Sequence, residues 1–309
     1  MQIAPAMNET EPAKPSRPTR SWNRKILRAV CLYVFVPYFA VTLIFTLAQR
    51  RLMYRPSTSG SLSVRDLELN SAEVTDVQLK TPEGETLHGW LFSGKNAASI
   101  SDKLLIYFPG NSLNRNERIA DLREVASTGF EVLIFDYRGF GDSTGSPSEV
   151  ALSADARLIW KYAHDELGYE GENIVLFGES LGGAVVLSLW SEVPSRAAHA
   201  KPQPRSIILS STFASMPRTV KLHYPWFPFH FLILDRWPSI DRIQNVSVPI
   251  TILHGSDDEM VPVSEARALA AKAGSQVKFI EISGTGHNDI PMPQLRSLLE
   301  ETMSEAGPR

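Results

Sequence analysis

The sequence predicts an α/β protein, a mostly parallel sheet with helices on both faces, preceded by one apolar helix near the N-terminus. Three observations predict it. Strand-like runs ending at Phe108, Asp136, Phe177, Leu209, His254 and Glu281 alternate with helical patterns over 116–126, 148–165 and 262–273, as strands joined by crossover helices require. The run Ile174-Val175-Leu176-Phe177-Gly178-Glu179-Ser180-Leu181-Gly182-Gly183 sets a serine between two glycines where a buried strand turns abruptly into a helix. Residues 29–48 carry no charge at all.

In chain order, residues 1–28 form a polar, basic tail, read as disordered to about Arg20 because it lacks the apolar residues that a packed core needs. The uncharged stretch 29–48 comes next. At about 1.5 Å per residue a helix of this length covers about 30 Å, the hydrocarbon thickness of a bilayer, so it reads as a transmembrane anchor. Pro37 predicts a kink there, which membrane helices tolerate. Thr46-Leu47-Ala48 has the small residues of a leader cleavage site, yet the apolar stretch exceeds the usual leader core. A buried soluble helix is the third reading. Lys14, Arg17, Arg20, Arg24, Lys25 and Arg28 precede the stretch, and Arg50, Arg51, Arg55 and Arg65 follow it. That asymmetry favours a cytoplasmic N-terminus with the catalytic domain on the far side.

A juxtamembrane segment, 49–73, leads into a domain over 74–306. Its first strands are an antiparallel pair around Pro82-Glu83-Gly84, and 295–303 forms the closing helix. Between the runs at 207–209 and 250–253 the rhythm breaks. An insertion at about 213–240 carries His223-Tyr224-Pro225-Trp226-Phe227-Pro228-Phe229 and further aromatics to Trp237. Trp226 and Phe229 are candidate substrate-binding residues, an apolar wall for an acyl chain or a face toward the bilayer. Ordinary packing of the insertion is the plainer alternative.

A serine hydroxyl is a poor nucleophile near neutral pH, so it needs an imidazole base, and the base needs a carboxylate. Of the seven histidines, His287 follows the last strand-like run in the loop Gly284-Thr285-Gly286-His287, where the chain order serine, acid, histidine puts the base. His88, His164, His199, His223 and His230 lie elsewhere, and His254 ends an apolar run ahead of the acids and reads as structural. Asp257, Asp258 and Glu259 compete for the acid's role in the loop after 250–254. The oxyanion needs two backbone donors. Leu181, after the nucleophile, supplies one, and Asn111 in Pro109-Gly110-Asn111-Ser112 is the candidate for the other, with Ser112 as the fallback.

Together these residues resemble the α/β-hydrolase superfamily. The stretch Asp136-Tyr137-Arg138-Gly139-Phe140-Gly141-Asp142-Ser143-Thr144-Gly145 is similar to the serine-aminopeptidase-like, Bem46-type hydrolases, relatives of protein depalmitoylases. Their acid loop, His-Gly-x-x-Asp-x-x-Val-Pro, is matched by His254, Gly255, Asp258, Val261 and Pro262, and the resemblance implies Asp258 as the acid. Pro109 departs from the histidine usual before Gly-Asn; a backbone donor survives that change.

The remaining composition narrows the function. The chain has 309 residues, 43% of them hydrophobic, enough for one large core. A net charge of -3 gives no electrostatic footing on nucleic acid. The single cysteine, Cys31, lies in the apolar stretch, and no Cys/His cluster, dinucleotide fingerprint or phosphate-cradling loop occurs. No cofactor or metal is implied. The expectation is a membrane-anchored serine hydrolase acting on an ester or thioester of a small-molecule, lipid or acylated substrate. Amide or peptide cleavage, and a catalytically silent membrane-bound interaction protein, are the alternatives.

Overall fold

The computed structural model describes residues 20–70, 72–94, 102–189 and 202–304. The expected disorder of the first residues, and His199, lie outside them. The chain divides into two units, one ending at Phe45 and the other beginning at Thr46.

The N-terminal helix runs as Arg20–Val30, a π-helical turn Cys31–Phe35, and Val36–Met53. The π turn ends two residues before Pro37. A proline lacks the N–H of its position and crowds the carbonyl four residues earlier, here Tyr33, and a widened turn relieves both. The stretch 24–53, 30 residues, is about 45 Å long at 1.5 Å per residue. Tyr33, Phe39, Ile44 and Leu47 each expose more than half their surface. Helix continues past the uncharged stretch because Gln49, Arg50 and Arg51 end the apolar character but are good helix formers.

The second unit is built on eight strands: β1 Val74–Lys80, β2 Thr86–Phe92, β3 Leu104–Phe108, β4 Glu131–Phe135, β5 Ile174–Glu179, β6 Ser206–Ser210, β7 Ile250–Gly255 and β8 Val277–Ile282. Their order across the sheet is β8-β7-β6-β5-β3-β4-β2-β1. β1 and β2 pair antiparallel, as do β2 and β4, and every other pairing is parallel. β3 and β6 are buried at every residue, which is why β3 and the Ile207-Ile208-Leu209 centre of β6 read as apolar runs: both faces are covered. Strands β5 to β8 extend one or two residues beyond the expected ends, and β4 stops one short of Asp136.

The covering helices are α1 Ile119–Ala126, α2 Glu149–Asp165, α3 Leu181–Ser188, α4 Met216–His223, α5 Phe229–Leu232, α6 Ser239–Arg242, α7 Val263–Ala273 and α8 Met292–Ser304. Local signals set their starts. Ser148 caps α2 by accepting from the amide of Ala151, and Asn114 with Glu117 forms a capping box on the 3-10 turn Arg115–Arg118 that leads into α1. Helices α4, α5 and α6 form the insertion between β6 and β7. The carboxyl ends of β3, β5, β7 and β8 all open on one edge of the sheet, where an open α/β sheet holds its ligands.

Candidate active site

Ser180 sits between β5 and α3 with φ 51° and ψ −111°, a conformation that L-residues avoid. The two glycines flanking it make the turn possible. A β-carbon on Gly178 would come within 2.6 Å of the Gly182 carbonyl oxygen, and one on Gly182 would collide with the carbonyl of Phe108. Strand, turn and helix therefore approach backbone to backbone. The Ser180 amide donates to the Ser210 carbonyl at 2.8 Å, and Thr212 Oγ1 donates to the Ser180 carbonyl at 2.8 Å. The strained residue is pinned from both sides.

His287, in the loop after β8, brings Nε2 to 3.1 Å from Ser180 Oγ, and its Nδ1 lies 2.6 Å from Asp258 Oδ2. Sequence separations of 107 and 29 residues are thus closed into one hydrogen-bonded line. Of the three competing carboxylates, Asp258 is buried while Asp257 and Glu259 are exposed. Asp257 Oδ1 accepts from the neighbouring Ser256 hydroxyl at 2.6 Å. Asp258 Oδ1 accepts from the amides of Met260 and Val261 at 2.9 and 2.7 Å, so one oxygen holds its own loop and the other faces the imidazole. Burial raises the Asp258 pKa, but hydrogen bonds from His254, His287 and the Val261 amide outweigh it and hold the carboxyl well below the usual range.

Pro109, Gly110 and Asn111 follow β3 and pass beside Ser180: a β-carbon on Gly110 would lie 3.7 Å from Cβ of Ser180. The Tyr137 hydroxyl donates to the Pro109 carbonyl at 2.8 Å. Leu181 opens α3 and is buried. In the insertion, Phe229 is buried, stacked on Phe227 at 4.8 Å and edge-on to Tyr224 at 5.7 Å, while Trp226 is 87% exposed. His223 Nε2 lies 2.9 Å from the Met260 carbonyl, and Arg218 pairs with buried Glu265 at 3.1 Å, so the insertion is tied to the acid loop and to α7.

Three features escaped sequence reasoning. The Nε2 of fully buried His254 lies 3.2 Å from Asp258 Oδ2; the four-residue spacing of His254 and Asp258 was the available signal. Glu179, next to Ser180, accepts from the Tyr107 hydroxyl and pairs with Arg118 at 2.8 Å. Residues 53–55 hold Asn111, a long-range contact with no local signature. Among the described residues no group of His, Cys, Asp and Glu is arranged to hold a metal ion.

A strained strand-to-helix turn on a mostly parallel eight-stranded sheet, with a serine at its apex, defines the α/β-hydrolase class. The chain belongs to the alpha/beta hydrolase family, whose model matches residues 87–297. An uncharacterized protein of Mycobacterium tuberculosis (strain CDC 1551 / Oshkosh) is 33% identical over 276 residues, 89% of this chain and 93% of that protein. Lysophosphatidylserine lipase ABHD12 of Danio rerio is 30% identical over 234 residues, 67% of this chain and 60% of that longer protein. The crystal structure of an alpha-beta hydrolase from Vibrio vulnificus superposes with a TM-score of 0.64 at 19% identity, covering 96% of this chain and 98% of that one. That last likeness is one of fold.

Proposed function

We propose that the protein is a membrane-anchored serine hydrolase that cleaves a carboxylic ester or thioester through an acyl-enzyme. The observation that carries this reading is the line Ser180 Oγ–His287 Nε2–Asp258, closed at 3.1 and 2.6 Å. Ser180 Oγ attacks the acyl carbon as its proton passes to His287 Nε2; His287 Nδ1–H donates to Asp258, which fixes the tautomer and stabilises the imidazolium. The backbone N–H groups of Leu181 and Asn111 receive the oxyanion. Collapse of this intermediate expels the alcohol or thiol, which takes the proton from Nε2. Water then enters, gives a proton to His287, and releases the acid.

An acylated lipid is the favoured substrate class. The reading draws on the lipase named among the relatives and on the aromatic insertion, in which Trp226 and Phe229 form an apolar wall for the acyl chain. Alanine at both positions is expected to lower turnover of long-chain esters more than of short ones; an equal loss on both removes the wall. The N-terminal helix is the anchor, supported by its length and its exposed apolar surface, with the N-terminus cytoplasmic and the catalytic domain across the bilayer. Alkaline carbonate should leave the chain in the membrane fraction, and protease added to sealed cells or vesicles reports the side.

Reaction with a fluorophosphonate probe tests the chemistry. Labelling that disappears in Ser180→Ala is the expected result, and absence of labelling on folded protein rejects it. A panel of p-nitrophenyl esters, thioesters and aminoacyl anilides then ranks the scissile bond, and preference for the anilides would move the assignment to amide cleavage.

A further inference from the structure

A helix that only tethers a domain needs nothing from its last turn beyond a link. In this chain the last turn is built into the domain. Gln49 is 3% exposed although it follows a long apolar stretch, and its amide works like a strand's backbone: Nε2 donates to the Leu232 carbonyl at 3.3 Å and Oε1 accepts from the Leu234 amide at 2.8 Å. One turn of the insertion is held by both edges of one side chain. Arg50 reaches Asp235 with two nitrogens, at 2.9 and 3.1 Å. Asp235 is 3% exposed and also accepts from the Tyr54 hydroxyl at 3.1 Å, which in turn accepts from Trp237 Nε1 at 3.2 Å. Tyr54 and Trp237 are buried with Asp235, so the network is interior except at Arg50, whose side chain is half exposed.

The same turn grips the other side of the site. The carbonyl of Met53 accepts from the side-chain amide of Asn111 at 2.7 Å, and the Arg55 amide donates to the Asn111 carbonyl at 2.9 Å. Arg55 and Pro56 then pair in parallel with Ser112 and Leu113. These contacts use the carbonyl and side chain of Asn111 and leave its backbone N–H outside the clamp. That N–H is the group assigned to the oxyanion.

We propose that residues 49–55, the end of the N-terminal helix and the two residues that follow it, are a positioning element of the active site. They set the Asn111 donor through Met53 and Arg55, and they set the insertion through Gln49, Arg50 and Tyr54, so that a shift of the helix end moves both walls of the site together. This rests on the reading of Ser180 as the nucleophile and Asn111 as a donor. A misplacement of about 1 Å at such a donor costs on the order of 100-fold in rate, whereas a loosened insertion acts on substrate binding.

The test uses the full chain in detergent micelles, with kcat and KM measured separately on short and long p-nitrophenyl esters. Asn111→Ala keeps the backbone N–H and removes only the bond to Met53. It is expected to lower kcat on short esters by about 10-fold to 100-fold with KM within about twofold. Gln49→Leu is expected to raise KM for long esters about 3-fold to 10-fold while short-ester kcat holds within about twofold. Unchanged constants in both variants overturn the proposal, as does a loss of kcat in Gln49→Leu that is equal on short and long esters, the mark of general damage. If Asn111→Ala does not fold, nearly isosteric Tyr54→Phe carries the test: a selective rise in long-ester KM supports the proposal, and wild-type constants overturn it. A wild-type chain with neither ester turnover nor Ser180-dependent labelling rejects instead the reading beneath it.

Discussion

The Nε2 of His254 lies 3.2 Å from Asp258 Oδ2, the same oxygen that faces His287 Nδ1 at 2.6 Å. Two imidazoles therefore share one carboxylate oxygen. His254 Nε2 also lies 2.7 Å from the Val261 carbonyl. Both neighbours are acceptors, which makes Nε2 the protonated nitrogen and His254 a second donor to Asp258. His254→Phe, which keeps most of the volume and removes the donor, should cost about 1–3 kcal/mol of stability and lower kcat by about 10-fold as Asp258 loses its fixed position. Urea unfolding and ester kinetics check this. Wild-type kcat in a folded variant would make His254 a packing residue only.

Asp258 also sets a pH dependence with a definite sign. A carboxyl whose folded-state pKa is depressed adds stability above its unfolded value and loses it as the pH falls through the folded value. For Asp258 the folded value lies well below the ordinary range. Asp258→Asn should therefore be less stable than wild type at neutral pH, and the gap should begin to narrow only below about pH 4. Unfolding free energies at pH 7, 5 and 3 measure it; a gap that closes between pH 7 and 5 contradicts the assignment.

Backbone strain at Ser180, the proposed nucleophile, predicts a trade of stability against activity. Ser180 holds φ 51° and ψ −111°, a cost of about 1–3 kcal/mol for an L-residue. Ser180→Gly should raise the melting temperature while abolishing probe labelling. Ser180→Ala retains the strain and should melt close to wild type. Equal melting of all three proteins would locate the strain elsewhere.

Arg115 is 1% exposed. It pairs with Asp136 and, at 2.6 Å, with Asp142, donates to the Leu62 carbonyl at 3.0 Å, and lies 4.8 Å over the Trp90 ring. Arg115→Met should cost about 3–5 kcal/mol, because buried Asp136 and half-buried Asp142 lose their shared cation. The double variant with Asp136→Asn should recover part of that loss, and a failure to recover it would assign the cost to packing on Trp90.

Much of the scaffold was legible because it repeats along the chain. Buried parallel strands need unbroken apolar runs, and Leu104–Phe108 and 207–209 supply them. Strand ends slipped by a residue or two because Glu179 and Ser210 continue the ladder without being apolar. The serine was legible for a steric reason: the spaces at Gly178 and Gly182 admit no β-carbon. Spacing could not choose among Asp257, Asp258 and Glu259, since their difference lies in burial and direction. Nor could it join His254 to Asp258 or the helix end to Asn111.

Sequence alone thus determined the strand-and-helix alternation, the sharp turn at Ser180 and the uncharged stretch 29–48, all local consequences of side-chain size and polarity. Tertiary structure alone decided which carboxylate meets the imidazole, how His287 reaches across 107 residues to Ser180, and that Met53 grips the loop of Asn111. Those contacts arise where separate strands end on one edge of a sheet, and their geometry depends on register and packing across the whole domain.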